Sequence, residues 1–424
     1  MKVAVVGGGV IGVTTAYEVL NAGHDVTLIE ADADVGLATS FANGGLLTPS
    51  MSDPWNSPGV WRDLLRYLGR SDAPMLLRAK ALPSIFGWGI QFLHYSQDVF
   101  FNEALRTNTE LSLLSIEAIQ DIAKVERLAF DKNEKGVLKI YRNETALQSG
   151  LKKMDRVADL GVATCMLTKD ELVQKEPSLT PIAGDLAGAL YFPNDMSGDA
   201  AAFTKGLAAK FVEQGGTLKC GQTVQSLVVS KQRIEGIITA EETLAVDSVV
   251  LSAGAWTRNL LAPLWSGLPV RPVKGYSITF DSKDIASDCI PQIPIVDDDL
   301  HAAITPLGSR LRVAGTAEFT GFDDRLTKAR LLNLQQLLSA VFPEASKTLL
   351  GRERGNWCGF RPASADGKPY VGETPIEGLF LNTGHGPFGW TMAAGSARLL
   401  MQLMTGKQTD KISEKISPLR AWRP

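Results

Sequence analysis

Six residues into the chain, directly after the apolar run VAVV, stands GGGVIG at residues 7–12. The short β-branched run suits a strand buried in a parallel sheet. VIGVTTAYEVLNAG then carries apolar residues at helical spacing and stops at Gly23, a helix C-cap. DVTLIE is a second strand ending in Glu30. Strand, glycine turn, helix and second strand with a terminal acid together spell a dinucleotide site. Gly7 permits the tight turn, Gly9 lets the backbone approach a pyrophosphate, and Gly12 lets the helix pack close to the sheet. The helix N-terminus stabilises the anion, and Glu30 accepts hydrogen bonds from a ribose diol. Glycine turns without ligands occur in many folds, and this motif leaves open which dinucleotide is bound.

Two further segments carry the same chemistry. ATSFANGGLLTPS, residues 38–50, brings small, hydroxyl and glycine residues close behind the acidic strand end, which suits backbone wrapped against a ligand. GLFLNTGHGPFGWTMAAGSARLL reads as a strand, a glycine-rich loop from Gly384 to Gly389, and a helix from about Thr391. Two glycine-bordered helix N-termini at opposite ends of the chain suggest the two ends of one long cofactor.

With YFPNDMSGD, LSAGAWT, RPVKGYS and GFRPASADGKPYVG between them, these stretches follow one another from residue 1 to about 400. In that order they resemble the flavin-dependent D-amino-acid oxidase and glycine oxidase superfamily, and within it the D-amino-acid dehydrogenase small-subunit group. The resemblance implies non-covalent FAD and an α/β fold: a Rossmann-like FAD-binding domain with an inserted α+β substrate domain built on an antiparallel sheet. It places Gly7, Gly9, Val10, Ile11, Gly12 and Glu30 on the adenosine and pyrophosphate half. Ser40, Asn43, Gly44, Gly45 and Leu46 fall beside the flavin ring, Val224 at the adenine, and Gly254 near the pyrophosphate. Gly384, His385, Gly386, Gly389, Trp390 and Thr391 embrace the pyrimidine side.

The implied reaction is oxidative deamination of a D-amino acid, with hydride transfer from the α-carbon and hydrolysis of the imine to a keto acid and ammonia. Only the resemblance specifies the D-isomer. The substrate carboxylate needs a planar, bidentate partner, and the match selects Arg361 of GFRP. Tyr276 of KGYS is the candidate for a hydroxyl bonded to that carboxylate. His301 and Tyr370 are further candidates for lining the pocket, and Lys274 is read as shaping its strand. The four histidines form no triad with a nucleophile, which disfavours hydrolysis. The alternatives are a glycine/sarcosine-type oxidase, a D-hydroxyproline dehydrogenase, or an FAD-binding electron-transfer subunit without catalysis.

The elements that position these residues must build more than one core, since 424 residues exceed one simple domain. A net charge of −3 gives no reason to expect nucleic acid. Cys165, Cys220, Cys289 and Cys358 are far apart, which argues against a metal site or a disulfide framework. No apolar run is long enough for a membrane span and no convincing signal peptide precedes the strand, so a cytoplasmic location is expected. The spacing of the cofactor segments predicts a discontinuous FAD-binding domain at 1–50, 145–264 and 346–424, with a substrate domain at 51–144 and 265–345. The C-terminal KISPLRAWRP is expected to be a poorly ordered or docking tail.

Residues 54–94 differ in character. Trp61, Leu64, Leu65 and Leu68 fall on one helical face and Arg62, Arg66 and Arg70 on the other, with Ile85, Trp88 and Phe92 as a second stripe. Such a segment suits a peripheral contact with the inner face of the cytoplasmic membrane, or a helical lid on the substrate domain. The family resemblance adds a quinone as electron acceptor.

Overall fold

The structure, a computed structural model, describes residues 1–67, 73, 75–407 and 411–422. The opening strand β1 (Lys2–Val6) is buried from its second residue on and lies at the centre of a six-stranded sheet. It pairs in parallel with β2 (Asp25–Ile29) and with Ser248–Leu251. Helix α1 (Val10–Asn21) returns between β1 and β2. Gly7 takes φ +112°, and a Cβ on Gly12 would fall 1.7 Å from the Gly7 carbonyl oxygen. The first turn of α1 therefore touches the glycine turn directly, as the motif requires.

The second sheet has nine strands and is largely antiparallel. Its functional half consists of β3 (Val270–Asp281), β4 (Ala302–Leu307), β5 (Arg310–Phe319) and β6 (Glu353–Ser364), in the spatial order β6-β3-β5-β4. Beyond β4 the sheet continues through Ile295–Asp297, Val137–Tyr141, Gly188–Phe192 and Cys165–Leu167. The strands within residues 145–192 and 346–364, expected in the FAD-binding domain, pair into this second sheet. Strand propensity alone does not name the partner strand, so the boundary is decided by pairing.

Four helices matter for the site: α2 (Val60–Tyr67), α3 (Leu82–His94), α4 (Asp98–Val125) and α5 (Gly389–Met404). Helix α4, expected in the substrate domain, packs instead in the dinucleotide-side core, where Leu111, Ile119 and Ile122 join Val13, Ala394 and Leu400. A Cβ on Gly395 of α5 would meet the Leu111 carbonyl oxygen at 2.8 Å, so the two helices cross with backbones nearly touching.

Helices α2 and α3 lie on the opposite sheet, with Val60, Ile85, Trp88 and Phe92 against Val273, Phe319 and Ala363. Trp61, expected on the apolar face of its helix, stands at the surface. It is 49% exposed, with the Arg62 guanidinium over its ring at 5.2 Å, and Val60 points inward instead. Leu68 and Arg70 lie outside the described residues, as does the side chain of Leu65.

The tail docks. Arg420 donates to Asp366 Oδ2 at 2.7 Å and covers the Tyr370 ring at 3.8 Å, while Trp422 stacks on Trp265 at 4.2 Å between centroids. Among the described residues no helix is long and apolar enough to cross a membrane.

Trp88 fastens α3 to the sheet. It is 4% exposed, stacks on Phe92 at 4.9 Å, and its indole N–H donates to the Ala363 carbonyl oxygen at 3.2 Å. Trp88→Ala is expected to cost roughly 3–5 kcal/mol, read as a lower urea midpoint with an unchanged slope.

Candidate active site

A cavity of about 720 Å³ runs from Glu30 to Arg361, lined from one side by the six-stranded sheet and its loops and from the other by β3, β5 and β6. At the first end, Gly7, Gly9, Val10, Ile11, Glu30, Val224 and Gly254 all line it. Helix α1 starts after Gly9 with no side-chain cap, so its first amides open toward the cavity. One of them, Val10 N–H, donates to Ser40 Oγ at 3.0 Å. The Glu30 carboxylate accepts from the amides of Gly8 and of Asp32. Burial nevertheless holds its pKa above the usual range. A carboxylate has about four acceptor sites, so room remains for a diol.

In the middle, the backbone of residues 42–46 is drawn against the second sheet by side chains that sequence reading did not single out. Ser277 Oγ donates to the Ala42 carbonyl at 2.6 Å, Thr305 Oγ1 to Gly44 at 2.7 Å, and Arg312 Nη1 to Asn43 at 3.0 Å. Their signal was a polar residue at the inward-facing positions of strands such as YSITF. Asn43 Oδ1 accepts from the Gly45 amide at 3.0 Å, and Gly45 takes φ +69°. Asn43, Gly44, Gly45 and Leu46 thereby line the cavity as expected.

The C-terminal loop meets the same cavity. A short 3-10 turn at Gly386–Phe388 leads into α5 at Gly389, two residues before the expected start, and neither helix has a side-chain cap. His385, Gly386, Gly389, Trp390 and Thr391 line the cavity. Trp390 Nε1–H donates to the Gly198 carbonyl at 3.1 Å, and Thr391 Oγ1 accepts from the Thr48 amide at 3.2 Å. Gly384, at φ +81°, and Gly12 stand behind the lining and act through close packing.

The cavity has the donor set for a long, polar, planar cofactor. Among the described residues, Gln222 Oε1, Ser252 Oγ and both ring nitrogens of His385 are buried without a hydrogen-bond partner. All three residues line the cavity, at successive points along it. Two uncapped helix N-termini face it as well. These features fit FAD, with α1, Glu30 and Val224 at the dinucleotide end and residues 40–46 and 385–391 at the ring end.

At the far end Arg361 lies recessed. Its Nη1 donates to the Thr316 carbonyl oxygen at 2.8 Å, and its guanidinium is 5.4 Å from the Trp55 ring. Thr316, a β-branched residue at φ +60°, sits where the β3–β5 register shifts, and this bulge aims its carbonyl at the arginine. Burial pulls the Arg361 pKa down to about 10, still fully charged at neutral pH.

The structure separates the other candidates. Tyr276 is opposite Cys358 in register, so its side chain leaves the face of the sheet opposite to that of Arg361. Its hydroxyl donates to Glu318 Oε2 at 2.5 Å and lies 3.2 Å from Thr327 Oγ1. Tyr276 is part of the cavity lining, but its hydroxyl is turned to Glu318 and Thr327 on the other face of the strand rather than toward a carboxylate on Arg361. Lys274 shares that hidden face, donating to the Arg325 carbonyl at 2.5 Å. Tyr370 is buried beneath Gly384 and Arg420 and is not part of the lining, whereas exposed His301 is. Trp357 and Trp55, the aromatic neighbours of Arg361, were missed because nothing in their spacing distinguishes them from core tryptophans.

Burial alone depresses the His385 pKa to about 3, so the imidazole is neutral when folded. A folded pKa below the unfolded value means that its contribution to stability is present above about pH 6.5. That contribution is lost as the pH falls toward 3. Between pH 7 and pH 4, wild type is expected to lose more thermal stability than His385→Asn, measured as the two Tm-versus-pH slopes.

Comparison with known proteins follows the same division. Residues 2–403 match the family described as FAD dependent oxidoreductase. The chain is 36% identical over 422 residues to a D-amino acid dehydrogenase of Rhizobium rhizogenes, covering 99% of this chain and 100% of that protein. It is 37% identical over 421 residues to one of Methylobacterium nodulans, covering 99% of each. Among solved structures, glycine oxidase from Bacillus cereus superposes with a TM-score of 0.76 at 24% identity, covering 100% of this chain and 99% of that one. L-proline dehydrogenase from P. horikoshii gives 0.78 at 18% identity, covering 99% and 97%. These two establish the fold, a dinucleotide-binding sheet joined to a largely antiparallel substrate-side sheet. Since the match takes in both sheets and both cofactor-facing helix N-termini, the chain belongs to the family of FAD-dependent oxidoreductases.

Proposed function

We propose that this protein is an FAD-dependent D-amino-acid dehydrogenase, converting a D-amino acid to its keto acid and ammonia. The observation that carries the reading is Arg361: a recessed guanidinium at the ring end of the cavity, bonded to one carbonyl and, among the described residues, to no carboxylate. A desolvated cation without a counter-ion is costly, and a substrate carboxylate supplies what it lacks in bidentate form. The names of the full-length relatives support an amino acid as that substrate and the D-isomer as its hand.

FAD, when bound, supplies the acceptor for the hydride equivalent from the substrate α-carbon. The chain's own residues bind and orient. Arg361 fixes the carboxylate, with the Thr316 carbonyl holding one of its nitrogens in place. His385, buried and neutral, offers hydrogen bonds without adding charge. The uncapped start of α5 offers amides to negative charge developing beside it. Among the described residues the acidic side chains lining the cavity are Glu30 and Asp32, at its opposite end, so the substrate amine loses its proton before binding. Tyr276 braces the strand from behind.

Electrons leave, in this reading, to a quinone, and the protein meets a membrane surface through α3. That helix is apolar on two faces: Ile85, Trp88 and Phe92 are buried, while Leu82, Phe86, Ile90 and Leu93 are exposed, Phe86 to 69%. Residues 54–94 carry five Arg or Lys against two Asp, a local +3 in a chain whose remainder is −6. An apolar stripe within a cationic segment suits an anionic bilayer. The lid and membrane readings of this segment are compatible, each using one face of α3.

Anaerobic mixing with D- and L-amino acids, glycine, sarcosine and D-proline tests the reading through loss of oxidised-flavin absorbance. D-isomers alone should bleach it; bleaching by glycine or sarcosine alone would favour the oxidase alternative, and none would sink it. Arg361→Lys, which forfeits the fork, should lower kcat/KM by about 30-fold, or about 2 kcal/mol, with the flavin spectrum unchanged. Phe86→Ser with Ile90→Ser should abolish flotation with phosphatidylglycerol vesicles at unchanged Tm. Retained flotation would remove α3 from the membrane contact.

A further inference from the structure

Strands β3 and β6 carry a paired glycine step on the face that meets the cavity. Gly275 stands opposite Gly359 in register, Val273 opposite Arg361, and Ser277 opposite Trp357. Neither glycine occupies a positive-φ position, so conformational freedom does not explain them. Space does. A Cβ on Gly275 would fall 2.4 Å from Arg361 Cζ and 2.5 Å from both of its terminal nitrogens. A Cβ on Gly359 would fall 2.2 Å from Trp357 Cζ2 and 2.3 Å from Cη2. The guanidinium is thus folded down over one glycine and the indole over the other, reaching toward each other from residues 361 and 357.

Opposed Cβ positions in an antiparallel pair are about 5 Å apart. The guanidinium and the indole therefore lie side by side on the sheet, and both line the cavity. Any carboxylate held by Arg361 brings its α-carbon and the first atoms of its side chain to the indole of Trp357. Among the described residues the acidic groups of the cavity lining, Glu30 and Asp32, are at the dinucleotide end, and His301 is exposed at the end of its loop. A charged substrate side chain would be desolvated against the indole without a partner.

We infer that Trp357 is a specificity-determining residue: its indole, seated over Gly359, is the platform for the substrate's side chain and selects neutral apolar or aromatic groups over charged ones. The inference rests on Arg361 holding the carboxylate. Gly275 and Gly359 are the positions that let clamp and platform lie flat together.

The test uses the flavin-loaded full chain with Trp357→Ala and Trp357→Phe. Steady-state kcat/KM is measured on D-alanine, D-leucine, D-phenylalanine, D-aspartate and D-lysine. Dissociation constants for acetate and phenylacetate are read from the perturbed flavin spectrum. Wild type should favour D-phenylalanine and D-leucine over D-aspartate and D-lysine. In Trp357→Ala, kcat/KM for D-phenylalanine should fall by about 20-fold or more and D-alanine by less than about threefold. Phenylacetate should weaken by about tenfold while acetate holds, and Trp357→Phe should keep most of the preference. A uniform loss across the panel at unchanged flavin content, or phenylacetate binding indifferent to the indole, overturns the proposal. If no amino acid bleaches the flavin yet phenylacetate still depends on Trp357, the platform stands and the amino-acid reading fails.

Discussion

A guanidinium recessed at the end of a cavity, with one backbone carbonyl and, among the described residues, no carboxylate for company, is a costly arrangement for a folded chain to hold. Arg361 is kept charged because its burial lowers the pKa only to about 10, so the cost is met by structure rather than by loss of the proton. Much of the substrate side can be understood as what holds that cation still. A bulge at Thr316 turns a carbonyl toward it, a missing Cβ at Gly275 gives it a seat, and Trp55 faces it at 5.4 Å. On the reverse of the same strand, Tyr276 bonds buried Glu318, which also accepts from the partly exposed Arg78.

The two sheets solve different problems at the cavity. The six-stranded sheet contributes backbone: glycines where a ligand must approach and helix starts without a side-chain cap. The antiparallel sheet contributes side chains at alternate positions, and it uses them to hold the loop of residues 42–46 as well as to face the ligand. Ser277, Thr305 and Arg312 take up the carbonyls of Ala42, Gly44 and Asn43. The ring end of the cofactor site is therefore built by both sheets together, and neither would shape it alone. The docked tail adds a third support, because Arg420 packs on Tyr370 and the Tyr370 ring sits 3.0 Å from where a Cβ of Gly384 would be.

Helix α3 couples this interior to the surface. Its inner stripe closes the sheet beside Arg361, anchored by the Trp88 hydrogen bond to Ala363, and Ala363 in turn bridges to His385. Its outer stripe remains apolar in solvent. Phe86 and Ile90 carry that exposed stripe on the side turned away from the sheet.

By itself the sequence determined the dinucleotide half of the protein. The demands there are local: a turn that only glycine can make, a helix whose Gly12 touches Gly7, and an acid at a strand end. All of them lie within about thirty consecutive residues, so spacing encodes them. The glycine loop before α5 was legible for the same reason. What tertiary structure decided was every relation between distant strands. Tyr276 and Arg361 lie on neighbouring strands, but Arg361 stands opposite Val273, three residues from Tyr276, and that odd offset sends their side chains to opposite faces. Strand pairing moved residues 145–192 and 346–364 into the second sheet, and packing moved α4 to the first. The partnership of Trp357 with Arg361 depends on two glycines 84 residues apart meeting across a ladder. Such relations are set by burial and backbone pairing over long separations, and no local pattern records them.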